Sequence, residues 1–315
     1  MSKIVFIFPG QGSQYVGMGR SVYNDFPEAK EILDSLVKKL DFELLEIIFN
    51  DEFDLLNKTQ YTQPALVAIQ IMLFKVLLAN GIIPDATLGL SLGEYSALVL
   101  AESISELDAI NIVAKRGKIM AEALPIGISS MSAVLAINHE ELEKICADVS
   151  YELGEIVEIA NYNSPGQLVI GGHINAVQMA SKKAIKKGAK KAIKLNVSGA
   201  FHTSLLKNAS LELENVLVNY NIVNPIIPVV HNATADYTDQ PIKDLLTKQI
   251  SSAVKFQQSI QRLIDDGFDI FIEVGPGKTL SGLVKKINRS VLTFNVESTD
   301  DILKLIRTIG GKNDE

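Results

Sequence analysis

The sequence predicts an α/β chain built in two parts, a parallel-sheet domain interrupted by a smaller unit of strands and helices. Three observations carry the prediction. The chain opens on a continuous apolar run, Ile4-Val5-Phe6-Ile7-Phe8, which is how a strand covered on both faces reads in a parallel sheet. A second short strand, Thr87 to Leu90, runs directly into a glycine-flanked turn and a helical stretch. From about residue 130 the texture changes to strand, helix, strand, strand, helix, strand.

Pro9-Gly10 ends the first strand. Residues 62 to 80 open on Thr62 and Pro64 in helix-start positions and then place Leu66, Ile69, Leu73, Val76 and Leu77 at helical spacing, predicting a core-facing helix. The middle of the chain reads as strand Ser132 to Ile137, helix Glu140 to Val149, strands Val157 to Asn161 and Gln167 to Gly171, helix Asn175 to Lys187, and strand Ala189 to Val197. That βαββαβ order predicts a ferredoxin-like unit, four strands in one sheet with both helices on one face. The α/β pattern resumes with strand Ile227 to His231, helices over 242 to 251 and 256 to 266, and strand Asp269 to Val274. The expected division is a discontinuous large domain, 1–128 and 198–315, around an inserted subdomain at 129–197. The chain end, Gly310 to Glu315, is expected to fray.

Composition narrows the function. With 315 residues, 47% apolar and 21% charged, the chain can bury a full core, which excludes disordered and fibrous classes. Lys plus Arg is 30 and Asp plus Glu is 37, a net charge of −7 that disfavours general nucleic-acid binding. Cys146 is the single cysteine, so no internal disulfide forms, and no Cys/His cluster offers a metal site; a reducing compartment fits. The apolar opening is too short for a signal-peptide core. The run Ala65 to Ala79 is interrupted by Gln70 and Lys75, short of the roughly 18 apolar residues of a spanning helix. These features predict a cytoplasmic protein with no membrane partner.

Gly89-Leu90-Ser91-Leu92-Gly93 has the form GxSxG between an apolar strand and a helix, the context of a nucleophile elbow. The glycines are needed because side chains flanking such a turn would collide with sheet and helix. Leu92, at the start of the following helix, has an N–H free of any intrahelical partner and able to donate to an oxyanion. The same pentapeptide also reads as a serine helix cap between turn glycines. Of the four histidines, His139 and His173 read as solvated subdomain positions, and His231 as structural support at a strand end. His202 lies where the chain leaves the subdomain and re-enters the large domain, which makes it the best candidate base.

Two further motifs fail: GxGxxG would need glycine where Tyr15 stands, and a Walker A loop would need it at Ile272. Cys146 shares a helical stripe with Leu142, Ile145 and Val149, the pattern of a buried small hydrophobe.

The chain resembles the malonyl-CoA:acyl carrier protein transacylases and the related acyltransferases of polyketide synthesis. The resemblance runs nearly end to end and rests on Phe8-Pro9-Gly10-Gln11-Gly12-Ser13-Gln14, Ser91-Leu92-Gly93-Glu94-Tyr95-Ser96-Ala97, Arg116-Gly117, Asn163-Ser164-Pro165-Gly166-Gln167, Ala200-Phe201-His202 and Glu273-Val274-Gly275-Pro276-Gly277. It implies an α/β-hydrolase-like large domain with an inserted ferredoxin-like small one. It also implies Ser91 as the acylated nucleophile, His202 as its base, Arg116 as the ligand of the malonyl carboxylate, Gln11 and Leu92 as backbone oxyanion donors, and Gln249 as the residue whose carbonyl orients the histidine. Phe201 occupies the position that in polyketide acyltransferases separates malonyl from methylmalonyl units. By itself, Arg116 between Lys115 and Lys118 reads as a surface arginine; the resemblance reverses that. Two positions depart from the family: Leu90 stands where GHSxG has histidine, and Ala253 where proline is common.

The implied partners are malonyl-CoA and an acyl carrier protein, with coenzyme A a substrate carrier and no cofactor or metal required. Lys182, Lys183, Lys186, Lys187, Lys190, Lys191 and Lys194 concentrate seven positive charges in thirteen residues of an acidic chain. Such a run is either a solvated face or, completed by Lys285 and Lys286, a docking surface for the acidic carrier. Fatty-acid and polyketide pathways are not separated. Two rivals remain: a serine esterase or thioesterase sharing the elbow, and a catalytically silent carrier-binding module keeping only the basic run.

Overall fold

The computed structural model describes residues 2–125, 127–197 and 199–309. Ser198, where the second large-domain segment was expected to begin, and 310–315 lie outside them. The chain forms two compact units, one of Met1–Gly117, Tyr220–Val230 and Leu263–Glu315, the other of Lys118–Asn219 and His231–Arg262. The second unit is wider than the inserted 129–197 stretch, so compactness groups His202 and Gln249 with the inserted sheet and not with the elbow.

The first unit is built on strands β1 (Ile4–Phe8), β2 (Ala86–Gly89), β7 (Ile270–Val274) and β8 (Leu292–Val296), all paired in parallel in the order β2-β1-β7-β8. Val5 to Phe8 are fully buried, as a continuous apolar strand inside a parallel sheet requires. Ile227 to His231 is not a strand. It meets the sheet at a single bridge, Thr87 to Val229, because Pro228 has no N–H to extend a ladder. The Thr59–Ala79 helix, longer than expected, meets by length and composition the test for crossing a membrane, yet most of it is buried, as in a core helix. Phe74 on this helix meets Phe8 edge-on, ring centroids 6.0 Å apart.

The second unit holds β3 (Ser129–Leu135), β4 (Val157–Ser164), β5 (Gln167–His173) and β6 (Lys191–Lys194), antiparallel in the order β4-β5-β3-β6. Helices His139–Leu153 and Ile174–Lys186 complete the βαββαβ order. Leu142, Ile145 and Val149 of one helix and Ala176, Val177 and Ala180 of the other enter a single core cluster with Val134 and Ile170, so both pack on the same face. Strand β6 starts two residues later than expected because the Ala189 N–H closes the preceding helix on Ala184 O, and it ends at Lys194 instead of Val197.

Candidate active site

Ser91 sits between the end of β2 and the Gly93–Leu100 helix with φ 53°, a left-handed conformation that costs a non-glycine residue roughly 1–3 kcal/mol. The turn is held backbone against backbone. A Cβ on Gly89 would fall 1.8 Å from the Gly93 carbonyl carbon, and one on Gly93 would fall 2.1 Å from Phe8 O. The Leu90 N–H donates to Phe8 O at 2.9 Å, so Leu90 keeps its place through its backbone despite lacking the family's histidine. Leu92 is the N-cap of the helix, one position past the serine, and the next two N–H groups, of Gly93 and Glu94, turn back to Leu90 O and Ser91 O.

Arg116 does not lie on the surface. Lys115 and Lys118 are exposed, but the turn of the Glu106–Glu122 helix carries Arg116 inward to 1% exposure. Its Nη1 donates to Gln63 Oε1 at 2.9 Å and its Nη2 to Ser91 Oγ at 3.3 Å. The guanidinium stands 5.4 Å from the centre of the Tyr95 ring. Desolvation lowers its pKa, opposed by Tyr95 and Glu94. A buried cation beside the serine favours an anionic group brought next to it. Gln11, half-buried in the loop after β1, anchors its side chain on Thr59 Oγ1 at 3.1 Å.

In the second unit His202 is buried, with φ 60°. Its N–H donates to Ile250 O at 3.1 Å, and its Nδ1 lies 2.9 Å from Gln249 O. Gln249 is near the C-terminus of the Ile242–Ile250 helix, where carbonyls lack intrahelical partners, so its oxygen is available to the ring. A carbonyl only accepts; Nδ1 therefore carries the proton and Nε2 presents a lone pair, the tautomer a general base needs. Ala253 does not disturb this placement: Val254 N–H donates to Ala160 O and Tyr162 N–H to Val254 O, each at 2.9 Å, stitching the segment to β4. Phe201 is buried beside His202 in sequence. A cavity of about 540 Å³ within this unit is lined by His202, Cys146, Glu158, Tyr162 and Ala253. Burial pushes the Cys146 thiol up to about 12, with Glu158 and Glu143 adding to the shift, which keeps it un-ionised and inert.

His139 is exposed, as expected. His173 is not simply solvated: it is half-buried, and its Nδ1 accepts the Ile156 N–H at 2.9 Å. His231 is buried and bridges Asp236 through the backbone. In the lysine run, Lys183 pairs with Glu152 at 2.5 Å and Lys187 with Glu141 at 3.6 Å, whereas Lys190, Lys191 and Lys194 are exposed. Lys285 and Lys286 are exposed on the Thr279–Ile287 helix of the first unit. Among the described residues no group of His, Cys, Asp and Glu is arranged to hold a metal ion.

A serine on a strained strand-to-helix turn, with a buried arginine at its hydroxyl, defines a site of the acyl-transfer class. The chain belongs to the acyl transferase family: the family profile described as acyl transferase domain matches residues 5–309. It is 44% identical over 316 aligned positions to the malonyl CoA-acyl carrier protein transacylase of Bacillus subtilis (strain 168), covering 100% of this chain and 99% of that protein. The crystal structure of the malonyl CoA-acyl carrier protein transacylase from Clostridium perfringens superposes with a TM-score of 0.96 at 40% identity, covering 99% of this chain and 98% of the other. A malonyl-transacylase solved in complex with its type II PKS acyl-carrier protein gives a TM-score of 0.93 at 34% identity, covering 98% of this chain and 100% of the other. The chain thus has the α/β fold of those enzymes.

Proposed function

We propose that this acyltransferase moves a malonyl group from malonyl-CoA to the phosphopantetheine thiol of an acyl carrier protein, through a malonyl-serine intermediate. The observation that carries the proposal is Arg116 Nη2 at 3.3 Å from Ser91 Oγ, which sets a cation beside the nucleophile for an acyl group bearing its own carboxylate. His202 Nε2 takes the proton of Ser91 Oγ as the oxygen attacks the thioester carbonyl, and the oxyanion is held by the N–H groups of Gln11 and Leu92. Collapse expels coenzyme A, which leaves with the proton from His202. The carrier thiol then gives its proton to His202 and attacks the serine ester; Ser91 departs and is reprotonated. Gln249 keeps the histidine in its proton-accepting tautomer.

In this reading the first unit has an α/β-hydrolase-like framework and the βαββαβ stretch at 129–197 is a ferredoxin-like insert in the 1–128 and 198–315 domain. Phe201 excludes a 2-methyl branch, and Lys190, Lys191, Lys285 and Lys286 contact the carrier. The reaction needs no cofactor, because the thioester supplies the activated acyl group, and the enzyme works in the cytoplasm.

The test is intact-protein mass after brief incubation with malonyl-CoA, on wild type and Ser91→Ala, followed by addition of holo carrier protein. A malonyl adduct on wild type alone, discharged by the carrier faster than by water, is the expected result. Discharge to water alone would mean a hydrolase. Absence of adduct and turnover, with carrier still bound, would mean the silent module.

A further inference from the structure

The two oxyanion donors of the proposed mechanism stand on separate pieces of backbone. Gln11 lies in the loop after β1, and Leu92 opens the elbow helix. Both N–H groups must reach one oxygen at about 2.7–3.1 Å, so the spacing of the two segments sets the strength of the hole.

A third element joins those segments. Gln70 lies on the Thr59–Ala79 helix with 0% exposure, an amide in an otherwise apolar stretch. Its Nε2 donates to the carbonyl of Pro9 at 2.7 Å, two residues before Gln11. Its Oε1 accepts from the hydroxyl of Ser96 at 2.6 Å, one helical turn beyond Leu92, and Ser96 is fully buried as well. The bonds define the orientation: Pro9 O only accepts, so the amide nitrogen must face it and the amide oxygen is left for Ser96. An amide without partners would be strongly unfavourable here, and an apolar side chain would fill the space without tying anything together.

We propose that Gln70 is a positioning residue for the oxyanion hole, a buried clamp that holds the Pro9-Gly10-Gln11 segment and the elbow helix at the spacing their N–H groups require. It touches neither substrate nor Ser91, and acts only through Pro9 O and Ser96 Oγ. The inference rests on the acyl-transfer reading above. Gln70→Met keeps the length of the side chain and removes both bonds; Ser96→Ala removes one and leaves Gln70 in place.

The experiment forms the malonyl-Ser91 enzyme from malonyl-CoA carrying ¹³C at the thioester carbonyl, and reads the ester carbonyl stretch by difference infrared together with the single-turnover rate of acylation. In wild type the two donors should give one narrow, red-shifted band. In Gln70→Met the band is expected to move towards the frequency of a solvated ester and to broaden, with acylation slowed at least about tenfold while half-saturation by malonyl-CoA changes less than about twofold, since the donors hold the developing oxyanion far more tightly than the carbonyl of the bound thioester. Ser96→Ala should move both readouts the same way by less. A wild-type band in a folded Gln70→Met protein overturns the inference, even if acylation slows, because a purely structural role would not move the band selectively. If Gln70→Met does not fold, Ser96→Ala decides: a shifted band supports the clamp and an unshifted one overturns it. Failure of the wild type to form any malonyl-serine would sink the acyl-transfer reading itself, and the clamp with it.

Discussion

The carbonyl oxygen of Gln249 lies 2.9 Å from Nδ1 of His202, at the C-terminal end of a nine-residue helix. The acceptor is main chain, so what orients the imidazole is the place where a helix stops. The negative end of the helix dipole also favours positive charge on the ring, as the proposed proton transfer requires.

His202→Asn keeps a side-chain donor towards Gln249 O and removes the base. Transfer is expected to fall by about 10²–10⁴-fold while the melting temperature stays near that of wild type. A steady-state assay beside thermal denaturation checks this; substantial residual transfer would place the base elsewhere.

Arg116→Ala removes the cation from beside Ser91. The lost charge-assisted bond is of order 1.5–3 kcal/mol, so kcat/KM for malonyl-CoA should drop about 10- to 100-fold, whereas acylation by acetyl-CoA, which has no carboxylate to bind, should not fall. Rates of adduct formation from the two thioesters give the ratio. Equal losses for both donors would show that Arg116 supports the site without reading the acyl group. Arg116→Lys should rescue malonyl transfer poorly, because an ammonium lacks the planar fork that reaches Gln63 and a carboxylate together.

Gly93→Ala places a Cβ 2.1 Å from Phe8 O, a backbone atom of the central strand that cannot swing aside. The loss of stability should exceed about 3 kcal/mol, measurable by urea denaturation. A stable, active Gly93→Ala protein would mean that the elbow and β1 can separate without harm.

Phe201→Ser opens space beside the base. The ratio of methylmalonyl to malonyl adducts on Ser91, read by mass spectrometry with both thioesters present, should rise. An unchanged ratio would remove Phe201 from substrate selection.

Lys190→Glu with Lys191→Glu reverses two exposed charges. The KM for carrier protein should rise and its dependence on salt weaken, with the KM for malonyl-CoA unchanged. Parallel changes in both constants would contradict docking at this surface.

Much of this protein was legible in its residues. Continuous apolar strands, helical periodicity and the βαββαβ order are local patterns, and the GxSxG turn carries its own steric reason, since Gly89 and Gly93 press on main chain. Strand β8 escaped because a short, half-exposed edge strand has no continuous apolar signal, whereas the helix Thr299–Ile309 was legible from Ile302, Leu305, Ile306 and Ile309 at helical spacing and was overlooked. Ile227 to His231 misled in the opposite sense: it is apolar enough for a strand, but its proline leaves only a bridge.

By itself the sequence determined the fold class, the elbow, and the identity of the serine and histidine candidates, because each depends on residue type at short range. Only tertiary structure decided where Arg116, Gln63 and Gln70 find their partners. Its local pattern makes Arg116 a surface arginine between two lysines, and only the family resemblance pointed inward; helix rotation buries it against Gln63 and Ser91. Gln70 reads as a flaw in an apolar helix until Pro9 and Ser96, 61 and 26 residues away in the chain, are brought to its two ends. The physical reason is the same for both: a polar group is stable in a core only when distant backbone or side chains satisfy it, and no local pattern records where those partners will come from.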